Sequence, residues 1–197
     1  SAPDFNRFYG NVFVAAVNTA PGLKMDERSP GSYRLSIRGN LLRSTFGVRN
    51  VKVYWNGIPF TDANGNTYLN QIAFQNIGSM EILKGPSGSR YGAGTGGVLL
   101  LQSERLQDTG MGVRVHAAVG SYGMFTGGGR LALNNSSAQH LLSYSHQQSD
   151  GYRNHSRLMR RVADYSGVYQ LSPSQKLHTH FFYSNLYYQT PGGLTQQ

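Results

Sequence analysis

From Met111 onward the chain alternates. Met111, Val113, Val115, Ala117 and Val119 fall on one face of an extended segment, and Gly112, Arg114, His116, Ala118 and Gly120 fall on the other. Side chains of a strand change face at every residue, whereas a helix turns every 3.6 residues and cannot keep those five apolar residues together. The rhythm then repeats. Phe125, Leu131 and Leu133 share a face opposite Arg130, and Leu142 and Tyr144 mark the apolar face of a less regular segment, His140 to Gln148. Ala163, Tyr165, Gly167, Tyr169 and Leu171 share a face, as do Leu177, Phe181, Tyr183 and Tyr187. The links Asn134-Asn135-Ser136-Ser137 and Ser172-Pro173-Ser174 are short and polar, as hairpin turns are. The pattern predicts five antiparallel strands, each near the ~9–11 residues that cross an outer membrane. Two architectures fit it: a stretch of transmembrane β-barrel, or a soluble β-sandwich or open meander.

Ahead of residue 102 the style differs. Short β-runs, Tyr33 to Ile37, Val51 to Trp55, Ser79 to Leu83 and Val98 to Leu101, are separated by turn residues. Asn56-Gly57 after Trp55 is a strong hairpin signal, because both positions tolerate positive φ. Pro59 confines the return strand to a stub. Asn70 to Ile77 is expected to form a short helix capped by Asn70, with Ile72, Phe74 and Ile77 as its apolar residues. Short strands with a short helix suggest a small α+β domain, and residues 102–110 are its linker to the alternating half.

Composition sets limits. No run approaches the ~18 apolar residues of a transmembrane helix, which leaves a barrel open. Cysteine is absent, so neither a disulfide nor a thiolate metal site can form. The opening residues, Ser-Ala-Pro-Asp-Phe, lack the basic and apolar regions of a signal peptide. The net charge of +9 favours acidic partners such as anionic headgroups or ligands. Its basic residues are spread along the chain, so no nucleic-acid face is expected.

Several stretches imitate chemical motifs. Residues 92–97 fit G-x-G-x-x-G, but a strand follows where a dinucleotide fold needs a helix, so the glycines are expected in tight turns. Asp62 to Asn66 resembles a calcium loop, yet Gly65 is one position early and Ala73 stands where the bidentate Glu belongs. A turn is expected there. His178 and His180 share a strand face without an evident third ligand, and are expected as polar residues inside a barrel. No Ser-His-Asp set or carboxylate pair stands out, so neither an enzyme, a metal site nor a cofactor is expected.

The stretch from Arg34 to Leu101 contains "LSIRGN", "VKVYWNGIPFTDANGNTYLNQI" and "NIGSMEILKGPSGSRYGAGTGGVLLL", in that order. Together they resemble the plug domain of TonB-dependent outer-membrane receptors, over roughly residues 20–104. "SDGYRNHSR" and "YQTPGGLT" resemble early barrel segments of the same family. The resemblance implies an α+β plug domain over residues 1–104 and, over 105–197, the first strands of a transmembrane β-barrel of about 22 strands. These five would be an incomplete portion of it. It further implies TonB-dependent uptake of a scarce bulky nutrient, foremost a ferric siderophore or other iron complex, across the outer membrane of a Gram-negative bacterium. The plug would gate the lumen.

The implied partners are the TonB energy-transducing complex, outer-membrane lipid and the iron-complex ligand; no TonB-contacting motif is legible in these residues. By resemblance, Arg38, Glu81, Lys84 and Arg90 latch plug to barrel. Gly39, Asn56, Gly57, Gly85, Pro86, Tyr91, Gly92, Gly94 and Gly97 make the plug's turns. Arg114, His116 and Arg130 are expected to face the lumen. The family often has Asp where Asn56 stands and Arg where Lys84 stands; Lys lacks the rigid fork for a bidentate pair. The alternative reading is a soluble or surface-exposed β-rich protein that binds a ligand or glycan.

Overall fold

The computed structural model describes residues 12–29, 32–37, 48, 51–85, 88–92 and 96–190. Helix α1 (Val12–Asn18) leads into strand β1 (Leu23–Ser29), which pairs antiparallel with β2 (Ser32–Ile37). Sequence reading placed neither α1 nor β1. Asn18 fixes their junction: its side chain accepts from Met25 N at 2.7 Å and donates to Met25 O at 3.0 Å.

Strand β3 (Val51–Trp55) turns at Asn56-Gly57 into the stub β4 (Ile58–Pro59). Both turn residues have positive φ, 51° and 83°, as the Asn-Gly signal requires. After β5 (Ile77–Lys84) and a single helical turn, α2 (Gly88–Tyr91), comes β6 (Gly97–Ser103). The sheet runs β4-β3-β6-β5, with β3 and β6 parallel and the other pairs antiparallel. Val51, Val53, Trp55, Leu99 and Leu101 bury one face of it, and Met25, Leu35 and Ile37 belong to the same apolar core.

The helix expected over residues 70–77 is absent. Two 3-10 turns, Leu69–Gln71 and Phe74–Asn76, stand in its place, and Asn70 caps neither. Ile72 and Ala73 between them are fully buried, and Ile72 is extended. Burying both neighbours at once outweighs a weak local propensity for helix.

The alternating half forms the five strands expected: β7 (Gly110–Gly120), β8 (Met124–Asn134), β9 (Ala138–Ser149), β10 (Leu158–Ser172) and β11 (Gln175–Tyr188). They pair in sequence order as one antiparallel sheet, separate from the mixed sheet and open at β7 and β11. The apolar face points away from the rest of the chain, with Val115 77% and Val119 81% exposed. No helix among the described residues is long and apolar enough to cross a membrane.

The calcium-like motif resolves as a turn, while residues 93–95 of the glycine motif lie outside the described residues. Asp62 Oδ1 accepts from Asn66 N at 2.8 Å and Gly65 has φ 81°, which closes a tight loop around residues 62–66. A strand, β6, follows Gly97. Among the described residues no group of three or more His, Asp or Glu could hold a metal ion.

Candidate functional site: the interface between the two units

The polar face of the long sheet packs against the mixed unit at three places. The first is the linker. Glu104 Oε2 accepts from Arg114 Nη1 at 3.1 Å and from Arg130 Nη2 at 2.5 Å. Arg114 and Arg130 are directly opposed in the β7–β8 register, where like charges repel. Glu104 lies between them and offsets that repulsion. Its backbone passes so close to Gly78 that a Cβ there would meet Glu104 Cα at 2.6 Å. Glycine at 78 therefore sets where the carboxylate stands. Asn134 Nδ2 holds the rest of the linker through the carbonyls of Leu106 and Asp108, at 3.2 and 3.1 Å.

The second place lies under β9 and β10. Asp164 is 1% exposed. Its Oδ1 accepts from Asn76 Nδ2 at 2.7 Å and from the Ser143 hydroxyl, and Asn76 Nδ2 also reaches Ser143 Oγ at 2.6 Å. Asp164 Oδ2 has no partner among the described residues. Arg160, on the same face of β10, donates to the Asn70 carbonyl at 3.0 Å and to Gln147 Oε1 at 2.6 Å. The loop that failed to become a helix thus offers its exposed backbone to the sheet.

The third place is aromatic. Trp55, fully buried, meets the His180 ring edge-on at 4.9 Å and that of Phe182 at 5.5 Å; Phe60 meets Phe182 at 5.4 Å. Trp55 Nε1 donates to Ser103 Oγ at 2.9 Å. Asn56 accepts from Ser103 N at 2.9 Å while its Nδ2 donates to Ser103 Oγ at 3.0 Å and reaches Ser166 Oγ on β10 at 3.5 Å. An aspartate at 56 could accept but not donate, so this network uses the amide that departs from the family habit.

Of the expected latch residues, Arg38 lies outside the described residues. Glu81 and Lys84 are three apart on β5 and so take opposite faces of the sheet. Lys84 Nζ donates to the Pro21 carbonyl at 2.5 Å, and the Arg90 guanidinium lies 5.6 Å from the centre of the Tyr91 ring. Glu81, Arg90, Tyr91 and Tyr54 line an open depression of about 770 Å³. Of the turn residues, Gly85, Gly92 and Gly97 have positive φ. Tyr91 accepts from the Tyr54 hydroxyl through its carbonyl at 3.1 Å. Gly39, Pro86 and Gly94 lie outside the described residues. Arg114, His116 and Arg130 share the face that carries Glu104; His116 Nε2 is buried without a partner among the described residues.

Sequence reading did not single out Glu104, Asn76, Asp164, Ser143 or Arg160. One signal was present: Asp164 is the only carboxylate in the five strands, and its parity puts it opposite Ala163 and Tyr165.

A compact unit seated on the polar face of a sheet whose other face is apolar defines a plugged barrel wall. The family described as TonB-dependent Receptor Plug Domain matches residues 2–98. The siderophore receptor PirA from Pseudomonas aeruginosa superposes with a TM-score of 0.67 at 20% identity, over 94% of this chain and 33% of that one. The copper transporter OprC gives 0.67 at 21%, over 91% and 29%. The ferric yersiniabactin uptake receptor FyuA from Yersinia pestis gives 0.62 at 18%, over 84% and 27%. At these identities the structural likeness is one of fold, and the chain spans about a third or less of each structure. Residues 2–98 thus match the plug family, and the chain as a whole shares the fold of these structures: a plug seated against antiparallel strands like those of a barrel wall.

Proposed function

We propose that this chain serves TonB-dependent active transport of a scarce, bulky nutrient, foremost a ferric siderophore or other iron complex, across the outer membrane of a Gram-negative bacterium. Residues 1–104 act as the plug and 105–197 as wall strands. The observation that carries this is the contact of plug and wall through exchangeable polar groups: Glu104 with Arg114 and Arg130, and Asn76 with Asp164 and Ser143. Such contacts can be traded for water more readily than a dry core can be opened, which suits a gate that moves under force. The siderophore receptor PirA and the ferric yersiniabactin uptake receptor FyuA share this fold, which supports iron complexes as the cargo. The outward apolar face argues against a soluble binding protein.

Arg38, Glu81, Lys84 and Arg90 then latch the other side of the plug to wall strands of the longer receptor, and Arg114, His116 and Arg130 face the lumen. The TonB complex supplies the energy. Uptake of radiolabelled iron, carried by a panel of siderophores into a strain lacking its own receptors but expressing the full-length protein, tests the reading. Uptake that vanishes without TonB supports it. Uptake indifferent to TonB, or no iron complex taken up, overturns it.

A further inference from the structure

We propose that Arg161, flanked by His146 and Asn185, is a docking site on the outer surface of the wall for the phosphate of an anionic glycolipid in the outer leaflet. The proposal rests on the outer-membrane reading above.

Residues of one parity form the outward face, and register aligns them in rows across the strands. One row is Val115, Gly129, Tyr144, Ala163 and Tyr183; the next is Ala117, Gly127, His146, Arg161 and Asn185. Arg161 is the only charged side chain at an outward position of the five strands. It is exposed, as is Asn185. Its neighbour Arg160 has the opposite parity and turns inward to the plug at the Asn70 carbonyl. The two adjacent arginines therefore serve opposite surfaces of the wall.

The level of Arg161 follows from strand geometry. Leu171, exposed and beside the turn at 172–175, lies ten residues away along β10. At ~3.3 Å per residue and a tilt of ~35–45°, those residues rise about 23–27 Å. The apolar band of an outer-membrane barrel is about 25 Å tall, so Arg161 stands at its far margin. Tyr144 and Tyr183, in the row just inside, occupy the level of an aromatic girdle. The links at this end, residues 121–123 and 150–157, include the longest one, while those at the other end are 135–137 and 173–174. Short turns belong to the periplasmic side and longer loops to the outside, so Arg161 meets the outer leaflet.

A guanidinium at that margin calls for an anion. Among the described residues no carboxylate on the outward face can supply one. Asp164 is turned to the plug, and Asp150 lies 3.7 Å from Arg157. The planar fork of Arg matches phosphate in a bidentate way. Asn185 adds an amide donor within the cross-strand spacing of ~4.5–5.5 Å. His146, whose Nε2 lies 3.2 Å from Gln148 Oε1, borders the other side.

The test uses the full-length receptor in detergent micelles, with bound lipid counted by native mass spectrometry. The probes are bisphosphorylated lipid A, dephosphorylated lipid A and inorganic phosphate. Expected is tight retention of the bisphosphorylated form, at least fivefold weaker binding for Arg161→Gln, an intermediate loss for Arg161→Lys, and no change for Lys176→Gln at the opposite end. Inorganic phosphate at millimolar concentration should not compete. Equal retention by Arg161→Gln, with heat-modifiable folding intact, overturns the proposal, as does equal binding of the dephosphorylated lipid or displacement by free phosphate. A wild-type protein that never folds as a heat-modifiable barrel overturns the outer-membrane reading and this site with it, and is told apart by that gel shift.

Discussion

The side-chain amide of Asn76 donates to Oδ1 of Asp164 across 2.7 Å, joining a turn of the plug to a strand of the wall 88 residues away. The acceptor is a buried carboxylate held by two neutral donors, Asn76 and Ser143, so each donor it keeps carries weight. Asn76→Ala removes one of two and should destabilise the full-length receptor by about 1.5–3 kcal/mol, the range for a hydrogen bond to a charged group. A double-mutant cycle with Asp164→Ala, read by thermal unfolding in detergent, should give a coupling of about 1 kcal/mol or more. Additive single effects would contradict the contact.

Glu104 predicts an asymmetry between its two arginines. The Arg130 side chain is 13% exposed and that of Arg114 is 49% exposed. Removing Arg114 should cost no more than about 0.5 kcal/mol. Arg130→Ala should cost about 1–3 kcal/mol, because it strips a better-buried partner from the carboxylate. Glu104→Ala leaves two opposed guanidiniums without their anion, and should cost at least as much as Arg130→Ala. Protease access to the plug in the intact receptor, compared across the three variants, checks the order. Equal effects at 114 and 130 would refute it.

Asn56 makes a sharp substitution test. Asn56→Asp preserves size and the acceptor for Ser103 N but loses the donor to Ser103 Oγ, and leaves a charge in a buried place. Destabilisation of about 1–3 kcal/mol is expected from thermal unfolding of the full-length protein. Asn56→Gly keeps the left-handed backbone, φ 51°, but loses all three side-chain bonds, to Ser103 N, Ser103 Oγ and Ser166 Oγ. A stability for Asn56→Asp equal to wild type would show that the amide is dispensable.

The outward face predicts membrane contact by parity. A nitroxide at Val115 in the full-length protein should collide freely with lipid-soluble oxygen, and one at Arg114 should not. Val113→Arg, one row further from the margin, in the row of Leu131, Leu142 and Tyr165, should cost about 2–4 kcal/mol of folding stability in bilayers. Equal oxygen access at 114 and 115 would remove the basis for assigning the faces.

What could be seen in the sequence was what depends on immediate neighbours. Parity in Met111–Val119 survives any tertiary context, because side chains alternate by backbone geometry alone. Asn56-Gly57 was legible because the turn needs two positive φ values that few residue pairs supply. β1 was missed because Leu-Lys-Met-Asp-Glu-Arg-Ser carries four charges in seven residues and earns its strand state by pairing with β2. The turns over 69–76 defeated local reading because burial of Ile72 and Ala73 comes from the fold. The interface was hidden for a related reason. Asn76 and Asp164, or Asn70 and Arg160, look like ordinary surface residues until the chain brings them together across 88 and 90 positions.

The open edges of the long sheet yield the last prediction. β7 and β11, of 11 and 14 residues, each have a partner on one side only. Unpaired N–H and C=O groups cannot be satisfied in hydrocarbon, and the smallest barrels of the outer-membrane class close with about eight strands. Five strands cannot close, so this 197-residue chain produced alone should not form a pore. In water the outward face, with Val115, Val119, Phe181 and Tyr183 exposed, sits beside those edges and offers a template for further strands. Aggregation, or a requirement for detergent, is therefore expected in size-exclusion chromatography, and no leakage from liposomes. A soluble, cooperatively unfolding monomer would mean that the apolar face is tolerated by water, and would favour a β-rich binding protein over a barrel wall.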